Sequence, residues 1–530
     1  MTRPDGIPDL PGAQAPERAT RNGTGWYAVT GLSAGAFGIG AASLLAWIVD
    51  ALSGATRSAD PLVAVGGWIV DGVPPAVKAA AVNLFGTADK IALWCGLALV
   101  MGAILAGLGV LAARAPRLAL GGVTVVVAIA ALIVATRPDA AAMSALPTVG
   151  GGGVWAVLLT GWIGDRADQQ RAGTGQPGLA DRRSVLRLAA GAAAVSAVPI
   201  GRGLTAGSGA QTARASIVLP TAGATAPAAA AADLGTPGAL PWQTPASAFF
   251  RIDTALRVPS VDPATWSLRV IGEVEREIVL TWAELLRKPL VERWVTLACV
   301  SNEVGGDLVG NARWLGWPVR ELLAQAGPRA GADMVLSRSI DGWTAGTPLT
   351  ALTDDRDALL AIGMNGQPLP ANHGFPVRLV VPGLYGYVSA TKWVTELKVT
   401  RFETDQGYWT PRGWSAFGPV KTASRIDVPR SGREVRAGTV AVAGVAWDTG
   451  RGIAAVQVRI DDGPWQPARL GDEPATSAWR QWVYTWDAQP GSHTVTVRAQ
   501  DGTGQWQTAD VRPSDPDGAT GLHTITVRVV

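Results

Sequence analysis

One cysteine of this chain stands in a segment of small and turn-forming residues. Cys299 lies within 296–314, TLACVSNEVGGDLVGNARW, whereas the other cysteine, Cys95, lies in an apolar run. The letters VTLAC predict a strand that runs into a turn. The residues that then favour a loop with a closely approachable backbone are Ser301, Asn302, Gly305 and Gly306. A lone thiol at such a strand end is a spectator, a nucleophile or a ligand for a transition metal.

A second segment carries side chains that bind anions. Within 363–393, GMNGQPLPANHGFPVRLVVPGLYGYVSATKW, His373 and Arg378 are five residues apart, and Lys392 follows a turn with glycine and serine. An imidazole and a guanidinium both donate hydrogen bonds to phosphate and other oxyanions. The segment therefore predicts a cradle for an anionic, polar cofactor.

A third segment, 407–427, combines aromatic residues with cations in a loop-rich stretch. These residues are Tyr408, Trp409, Trp414, Lys421 and Arg425. Taken alone, each of the three segments fits ordinary structure, because a lone cysteine commonly behaves as a small buried apolar residue. Their co-occurrence in one chain favours a functional site.

Composition divides the chain into a membrane part and a soluble part. Of its 530 residues 48% are hydrophobic and only 16% are charged, and the mean hydropathy is positive. A net charge of +3 is too small to predict nucleic-acid binding, and two cysteines exclude a disulfide scaffold.

Residues 1–204 are predicted to form a membrane anchor with about five transmembrane helices. Four apolar runs come close to the length of a span: 26–52, 91–113, 118–136 and 147–164. The stretch between the first two runs is interpreted as interfacial. The fifth segment, 181–203, begins with Arg182 and Arg183 before an alanine-rich run and resembles a twin-arginine export signal. A plain basic membrane flank is the alternative interpretation.

The distribution of basic residues predicts the orientation in the membrane. Arginines lie between the second and third runs and again between the fourth and fifth. If both loops are cytoplasmic, the N-terminus is inside and everything after about residue 205 is extracytoplasmic. The three histidines are His373, His493 and His523, so bis-histidine haem ligation in the membrane part is excluded. We therefore expect an anchor or docking surface in the cell membrane, with no haem in this chain.

The soluble part is predicted to hold a linker and two domains. Residues 205–240 are rich in Ala, Pro and Thr and are interpreted as a flexible tether. Residues 241–426 mix strand and helix patterns and predict an α+β domain. Residues 427–530 show short alternating runs with turn signals between them and predict an all-β, immunoglobulin-like sandwich.

Several stretches within about 245–530 together resemble the sulfite oxidase-like family of molybdopterin-dependent oxidoreductases. They are TPASAFFRID, TLACVSN followed by GNARWLGWP, SIDGWT, NGQPLPANHGFPVRLVVPG, SATKW and the β-rich C-terminal part. The resemblance implies a molybdenum held by the dithiolene of molybdopterin and by one cysteine thiolate, which Cys299 matches. The C-terminal module resembles the domain that family members use for dimerisation, and whether this chain pairs with a second copy as a homodimer stays open.

The resemblance also implies further site residues. Expected cofactor contacts besides Cys299 are Phe250, Arg251, Asn302, Asp341, His373, Arg378, Ser389, Thr391 and Lys392. Expected residues on the substrate side are Glu303, Arg313 and Tyr408.

The chain departs from the family pattern after the cysteine. Sulfite-oxidising members place arginines four and five residues after it, whereas this chain has Glu303 and Val304. An acidic residue there would repel sulfite or nitrate, so a neutral sulfoxide or N-oxide fits better. Because no Cys-x-x-Cys-His motif is present, electrons are expected to pass to or from a separate partner, a cytochrome or a quinone-linked membrane protein.

The sequence therefore predicts a membrane-anchored, extracytoplasmic molybdopterin oxidoreductase that transfers an oxygen atom to or from a small substrate. Two other classes of function stay open at this point. The first is a non-catalytic membrane-anchored scaffold or adhesion protein. The second is an acyl-transferase in which Cys299 is the nucleophile and His373 its base.

Overall fold

A computed structural model describes 17–53, 59–73, 89–137, 143–171, 214–255 and 258–530, together with positions 77, 140, 186 and 190. The chain divides into two compact units, Met1–Thr205 and Ala206–Val530. Each unit is described separately.

The first unit is helical. Its helices are α1 (Glu17–Ser53), α2 (Pro61–Gly72), α3 (Asp89–Arg114), α4 (Pro116–Ala135) and α5 (Leu146–Arg171). Small residues bring α1 close to its neighbours: a Cβ placed on Gly151 of α5 would lie 2.3 Å from the Gly38 carbonyl oxygen of α1. Such close backbone approach is typical of helices that associate within a membrane.

Four helices in the described part of the chain are long and apolar enough to cross a membrane. These segments are Thr24–Val49, Ala92–Arg114, Pro116–Ala135 and Leu146–Gly164, and they coincide with the four predicted runs. They fit a membrane anchor. Helix α2 has 12 residues, too few to span. The segment 181–203 with its paired arginines lies outside the described residues.

The second unit begins with a central α+β domain built on two sheets. One sheet has the order β3-β4-β7-β8, with β9 paired to β7, and the other has the order β2-β1-β10-β5-β6. The strands are β1 (Ser267–Gly272), β2 (Ile278–Thr281), β3 (Val291–Ala298), β4 (Val309–Pro318), β5 (Met334–Ser339), β6 (Thr344–Pro348), β7 (Leu359–Met364), β8 (Gln367–Pro368), β9 (Arg378–Val380) and β10 (Val394–Thr400). Three short helices connect them: α6 (Trp282–Leu285), α7 (Val319–Ala326) and α8 (Leu349–Thr353).

Local sequence signals set the ends of two of these helices. Thr281 and Glu284 form a reciprocal capping box at the start of α6. Gly327 ends α7 with a φ of 68°, in the left-handed region that glycine adopts most easily. Residues 314–318 complete strand β4, and all five are buried.

Residues 214–240, predicted as part of a flexible tether, instead pack on the central domain. The amide of Gly223 donates to the Leu290 carbonyl at 2.8 Å, and the amide of Glu292 donates to the Ala224 carbonyl at 2.8 Å. Small side chains allow this backbone to approach the start of β3. The prediction of a tether is wrong for this stretch, because amino-acid composition does not show which backbone groups bond to a distant strand.

The C-terminal part is a two-sheet sandwich, here called the sandwich (423–529). Its strands are β11 (Ala423–Val428), β12 (Glu434–Val435), β13 (Gly438–Trp447), β14 (Ile453–Ile460), β15 (Gln466–Pro467), β16 (Arg469–Leu470), β17 (Arg480–Ala488), β18 (Gly491–Asp501) and β19 (Thr524–Val529). The sheets have the orders β11-β13-β17-β16 and β12-β19-β18-β14-β15. Trp482 and Val497 are fully buried between them. The sandwich begins at Ala423, slightly before the predicted boundary at 427.

Candidate functional site

Cys299 follows strand β3 in the hairpin that connects it to β4. Its amide donates to the Leu308 carbonyl at 2.9 Å, and its carbonyl accepts from the Asn302 amide at 3.1 Å. The Oδ1 atom of Asn302 accepts from the Leu308 amide at 2.8 Å. We name residues 299–308 the cysteine loop. Asn302, expected as a cofactor contact, uses its side-chain oxygen to close this loop.

The Cys299 side chain is 9% exposed. Burial raises the pKa of its thiol, while the amide and hydroxyl of Ser301 oppose that rise. A buried sulfur without a basic neighbour keeps its proton unless a metal ion displaces it. This environment suits a metal ligand better than an activated nucleophile.

Arg378 is a buried cation whose hydrogen-bond partners are neutral. Its guanidinium donates to the carbonyls of His373 at 3.2 Å, Ala390 at 3.3 Å and Leu379 at 3.3 Å. Burial lowers its pKa to about 9, so it stays charged at neutral pH. Its hydrogen-bond partners in the described part of the chain are these carbonyls, and none of them is a carboxylate. A buried charge without a counterion is costly, so this position calls for an anion.

Lys392 and Arg251 lie near this cation and share one carboxylate. Asp253 accepts from Lys392 Nζ at 2.5 Å and from Arg251 Nε at 2.9 Å. Burial lowers the pKa of Lys392 to about 8, against the opposing effect of Asp253. We name Arg251, Arg378 and Lys392 the cation cluster. Among the described residues, Asp253 and the nearby Asp341 supply two carboxylates against these three cations, so the surplus is positive.

His373 is held in a neutral form next to the cluster. Its Nε2 lies 3.0 Å from the Ala246 carbonyl oxygen, and a proton on that nitrogen makes the hydrogen bond. Burial, followed by the charge of Arg378, lowers its pKa to about 4. The Phe249 ring meets the imidazole edge-on at 5.7 Å and stacks on Phe250 at 5.2 Å.

Asp341 joins the cluster from the other sheet. The amide of Trp343 donates to its Oδ1 at 3.2 Å. Burial raises the pKa of Asp341, Asp253 adds to that rise, and Lys392 opposes it. The expected residues Arg251, Asp341 and Lys392 are thus brought together.

Residues 384–392, here called the bridging segment, connect the cysteine loop to the cation cluster. A Cβ built on Gly386 would lie 3.9 Å from the carbonyl oxygen of Ala298 and 3.4 Å from the Cβ of Ala390. The carbonyl of Ala390 in turn accepts from Arg378. The sulfur-bearing hairpin and the buried cations therefore share one wall.

Two expected contacts in the bridging segment point their hydroxyls inward. Ser389 Oγ donates to the Tyr385 carbonyl at 2.9 Å. Thr391 Oγ1 lies 2.6 Å from Ser337 Oγ. Both side chains are fully buried and each hydroxyl has a protein partner, so their role as cofactor contacts stays a prediction.

The structure does not place Arg313 beside Cys299. Arg313 lies on β4 opposite Trp294, while Val309 pairs with Ala298. This register puts Arg313 about 16 Å along the hairpin from the cysteine. Its Nε lies 3.5 Å from Glu292 Oε1, so its charge has a structural partner.

Tyr408 lies in the segment after β10 and contacts the start of β6. Its amide donates to the Thr344 carbonyl at 3.0 Å, and the Arg412 guanidinium lies 3.7 Å from its ring centre. The tyrosine beside Cys299 is Tyr385, whose pKa is raised to about 12 by burial, with the neighbouring Asp517 and Cys299 adding to the rise. Tyr385 and Asp253 are not among the predicted site residues, although both lie within the quoted stretches.

A cleft opens beside the end of β3, between the cysteine loop and the sandwich. Its walls include Ala298, Glu303, Tyr385, Gln507 and Thr520. Glu303 supplies the one charged side chain among the lining residues, and its Oε1 accepts from Ser514 Oγ at 3.2 Å. The lining therefore mixes polar and apolar side chains and carries one negative and no positive charge, and Cys299 itself is not part of it.

Two family profiles match the second unit. Residues 255–409 match the oxidoreductase molybdopterin binding domain, and residues 423–497 match the bacterial Ig domain. The first match covers the cysteine loop and the bridging segment, and the second covers most of the sandwich. The predicted three-part fold, with N-terminal apolar helices, a central molybdopterin-binding domain and an immunoglobulin-like sandwich, is confirmed.

The chain is 34% identical over 274 residues to the mitochondrial sulfite oxidase of Homo sapiens. The aligned region covers 43% of this chain and 50% of the human protein. It is 32% identical over 321 residues to the sulfite oxidase of Gallus gallus, and that aligned region covers 51% of this chain and 69% of the chicken protein. The chain belongs to the sulfite oxidase-like family of molybdopterin-dependent oxidoreductases. It spans about half the length of the human relative. The solved sulfane dehydrogenase SoxCD of Paracoccus pantotrophus superposes with a TM-score of 0.47 at 23% identity, covering 54% of this chain and 81% of that one.

Membership of the sulfite oxidase-like family makes this protein an oxidoreductase that uses a molybdenum cofactor. The scaffold and acyl-transferase interpretations are thereby excluded. The residues present fit such a group: Cys299 offers a soft sulfur ligand, and Arg378 is a buried cation whose bonding partners among the described residues are neutral carbonyls. A phosphorylated pterin would supply that negative charge.

Proposed function

We propose that this chain is a membrane-anchored, extracytoplasmic enzyme that transfers an oxygen atom to or from a small neutral substrate. The observation that carries the proposal is the bridging segment, which links the buried Cys299 loop to a cation cluster with surplus positive charge. When bound, the cofactor supplies two-electron, oxygen-atom-transfer chemistry.

In this proposal each group of residues has one task. Cys299 binds the metal, supported by the amide and hydroxyl of Ser301. Arg378, Lys392 and neutral His373 hold the anionic end of the cofactor, since cations and imidazole donors suit phosphate oxygens. Tyr385 keeps its proton at neutral pH, because burial raises its pKa to about 12, and offers that hydroxyl to a substrate in the cleft.

The charge of the cleft supports a neutral substrate. Glu303 stands in its wall without a neighbouring lining cation. A negative field in a partly enclosed cleft lowers the local concentration of anions such as sulfite and nitrate. A sulfoxide or an amine N-oxide carries its oxygen without net charge and meets no such barrier.

The helices of the first unit support the membrane placement. Four of them in the described residues have the length and composition of spans. We propose that the N-terminus is cytoplasmic and that the second unit faces the outside, as the arginine distribution indicates. Electrons would then pass to or from a separate cytochrome or quinone-linked membrane protein.

Metal analysis of the full chain in detergent, followed by a substrate screen, tests the proposal. The parent should contain molybdenum equimolar to the chain and turn over a sulfoxide or an N-oxide faster than sulfite. Cys299→Ser should abolish turnover, whereas Cys95→Ser, which changes the other cysteine, should retain it. Full turnover of Cys299→Ser would refute the ligand assignment, and faster sulfite turnover would refute the substrate class.

A further inference from the structure

A buried arginine of the sandwich binds the cysteine loop. Arg425 lies on β11, and its Nη1 donates to the Gly306 carbonyl at 2.7 Å. Its Nε is paired with Asp427 Oδ1 at 2.8 Å, and both side chains are more than nine-tenths buried, with exposures of 5% and 7%. A hydrogen bond from a charged donor to a carbonyl, shielded from water, is stronger than a hydrogen bond between two neutral groups. Arg425 thus restrains the far side of the loop that carries Cys299.

A second sandwich residue closes on the adjacent glycine. A Cβ on Gly305 would lie 2.4 Å from the imidazole of His523, so only glycine fits beneath this ring. The φ of Gly305 is +79°, a conformation that glycine also favours. His523 is itself held by the Ile426 amide, which donates to its Nδ1 at 3.0 Å.

The sandwich also holds the strand that leads to the cysteine. The Thr296 amide donates to the Ser477 carbonyl at 2.9 Å, and Ser477 Oγ donates to the Trp294 carbonyl at 2.6 Å. The Trp479 amide donates to Thr296 Oγ1 at 2.8 Å. These bonds occupy the free edge of β3, which is the outer strand of its sheet. Cys299 therefore lies between two stretches that are both fastened to the sandwich.

We infer that the sandwich is a positioning element for the metal ligand, and that Arg425 is its positioning residue. The inference rests on the proposed role of Cys299 as the molybdenum ligand. A loop with adjacent glycines has a high entropic cost of ordering, so contacts from outside must hold it. Arg425 contacts a backbone carbonyl of the loop and acts on the metal only through the position of the sulfur.

Hydrogen exchange on the full, cofactor-loaded chain in detergent tests this inference. The amides of Cys299, Gly306 and Leu308 are bonded within the loop. Arg425→Ala should accelerate their exchange by roughly tenfold or more, the effect expected from the loss of one charge-assisted hydrogen bond. Arg425→Lys should restore part of the protection. Arg480→Ala is the matched control, because Arg480 donates to the sandwich carbonyls of Gly471 and Ile453 and not to the loop.

A spectroscopic readout separates positioning from general stability. The electron paramagnetic resonance spectrum of the molybdenum should change in Arg425→Ala and keep its parent form in Arg480→Ala. If Arg425→Ala unfolds the sandwich, Ser514→Ala provides a milder variant, since it removes only the Ser514–Glu303 bond from the same loop. Parent-like exchange and spectra in the folded variants would overturn the inference. Exchange is also measured on the cofactor-free chain, where it reports the order of the loop alone, so failure of the proposed function would show separately as a chain that never contains molybdenum.

Discussion

The guanidinium carbon of Arg378 lies 5.1 Å from the centre of the Trp314 indole ring. Trp314 belongs to β4, in the hairpin that carries Cys299, whereas Arg378 begins β9. Both side chains are buried, so the cation–π contact forms away from water, where it is strongest. The contact packs the buried cation against the hairpin that carries the sulfur, and it identifies Arg378 as the cation to remove first.

Arg378→Met keeps an unbranched stem against Trp314 and removes the charge. We expect the molybdenum content of the purified chain to fall by roughly tenfold or more, because charge-assisted bonds to a buried anion are strong. The urea midpoint of the cofactor-free chain should change little, because the loss of an unpaired buried cation is offset by the carbonyls that lose their donor. Arg401→Met is the control: Arg401 is 43% exposed and pairs with Glu273 at the surface. Full cofactor content in Arg378→Met would contradict the assignment.

Glu303→Arg reverses the charge of the cleft and should shift substrate preference toward anions. We expect the KM for sulfite to fall by roughly three- to tenfold, the size of a partly screened charge interaction, with little change for a neutral sulfoxide. Glu303→Gln should give an intermediate value. Asp307→Asn removes a carboxylate of the same loop that does not line the cleft, and it should leave both constants unchanged. An equal shift for charged and neutral substrates would show that Glu303 acts through loop structure.

The buried imidazole of His373 predicts a loss of stability in acid. Burial lowers its pKa from 6.5 to about 4, so between these values the unfolded chain binds a proton that the folded chain does not. Stability of the cofactor-free chain should therefore fall as the pH drops from 6.5 toward 4. His373→Gln should flatten this decline in the urea midpoint.

His493 provides a control in which the pH dependence of stability has the opposite sign. The Asp461 carboxylate raises the pKa of His493, so its contribution to stability is present below pH 6.5 and is lost as the pH rises through the folded value. His493→Gln should steepen the acid decline. If both variants changed the acid decline of the urea midpoint in the same direction, the direction of the pKa shift given for one of the two histidines would be wrong.

Substitution of lysine for both Arg182 and Arg183 tests the twin-arginine prediction. The double substitution should leave the second unit in the cytoplasm, as measured by protection from external protease in spheroplasts. Arg187→Lys is the control, because lysine is the commoner residue at that point of such signals, and it should export normally. Continued export of the double variant would show that the second unit crosses the membrane unfolded.

Local patterns in the sequence were sufficient to predict several elements. The four apolar runs coincide with the candidate membrane helices, and the alternation after residue 427 predicted the sandwich. Cys299 and the pair His373 and Arg378 stood out because their residue types and neighbours are unusual within short stretches. Length, hydropathy and turn chemistry decide such features within a few residues of chain.

Tertiary structure decided which of the expected residues meet. Strand register carries Arg313 away from Cys299, and packing turns the hydroxyls of Ser389 and Thr391 into the core. The same long-range contacts bring Tyr385 to the cleft and bind the cysteine loop to Arg425 of the sandwich. The sequence alone therefore determined the elements and the residues with chemical potential. Only the fold could decide their distances and burial, because those depend on pairing between segments far apart in the chain.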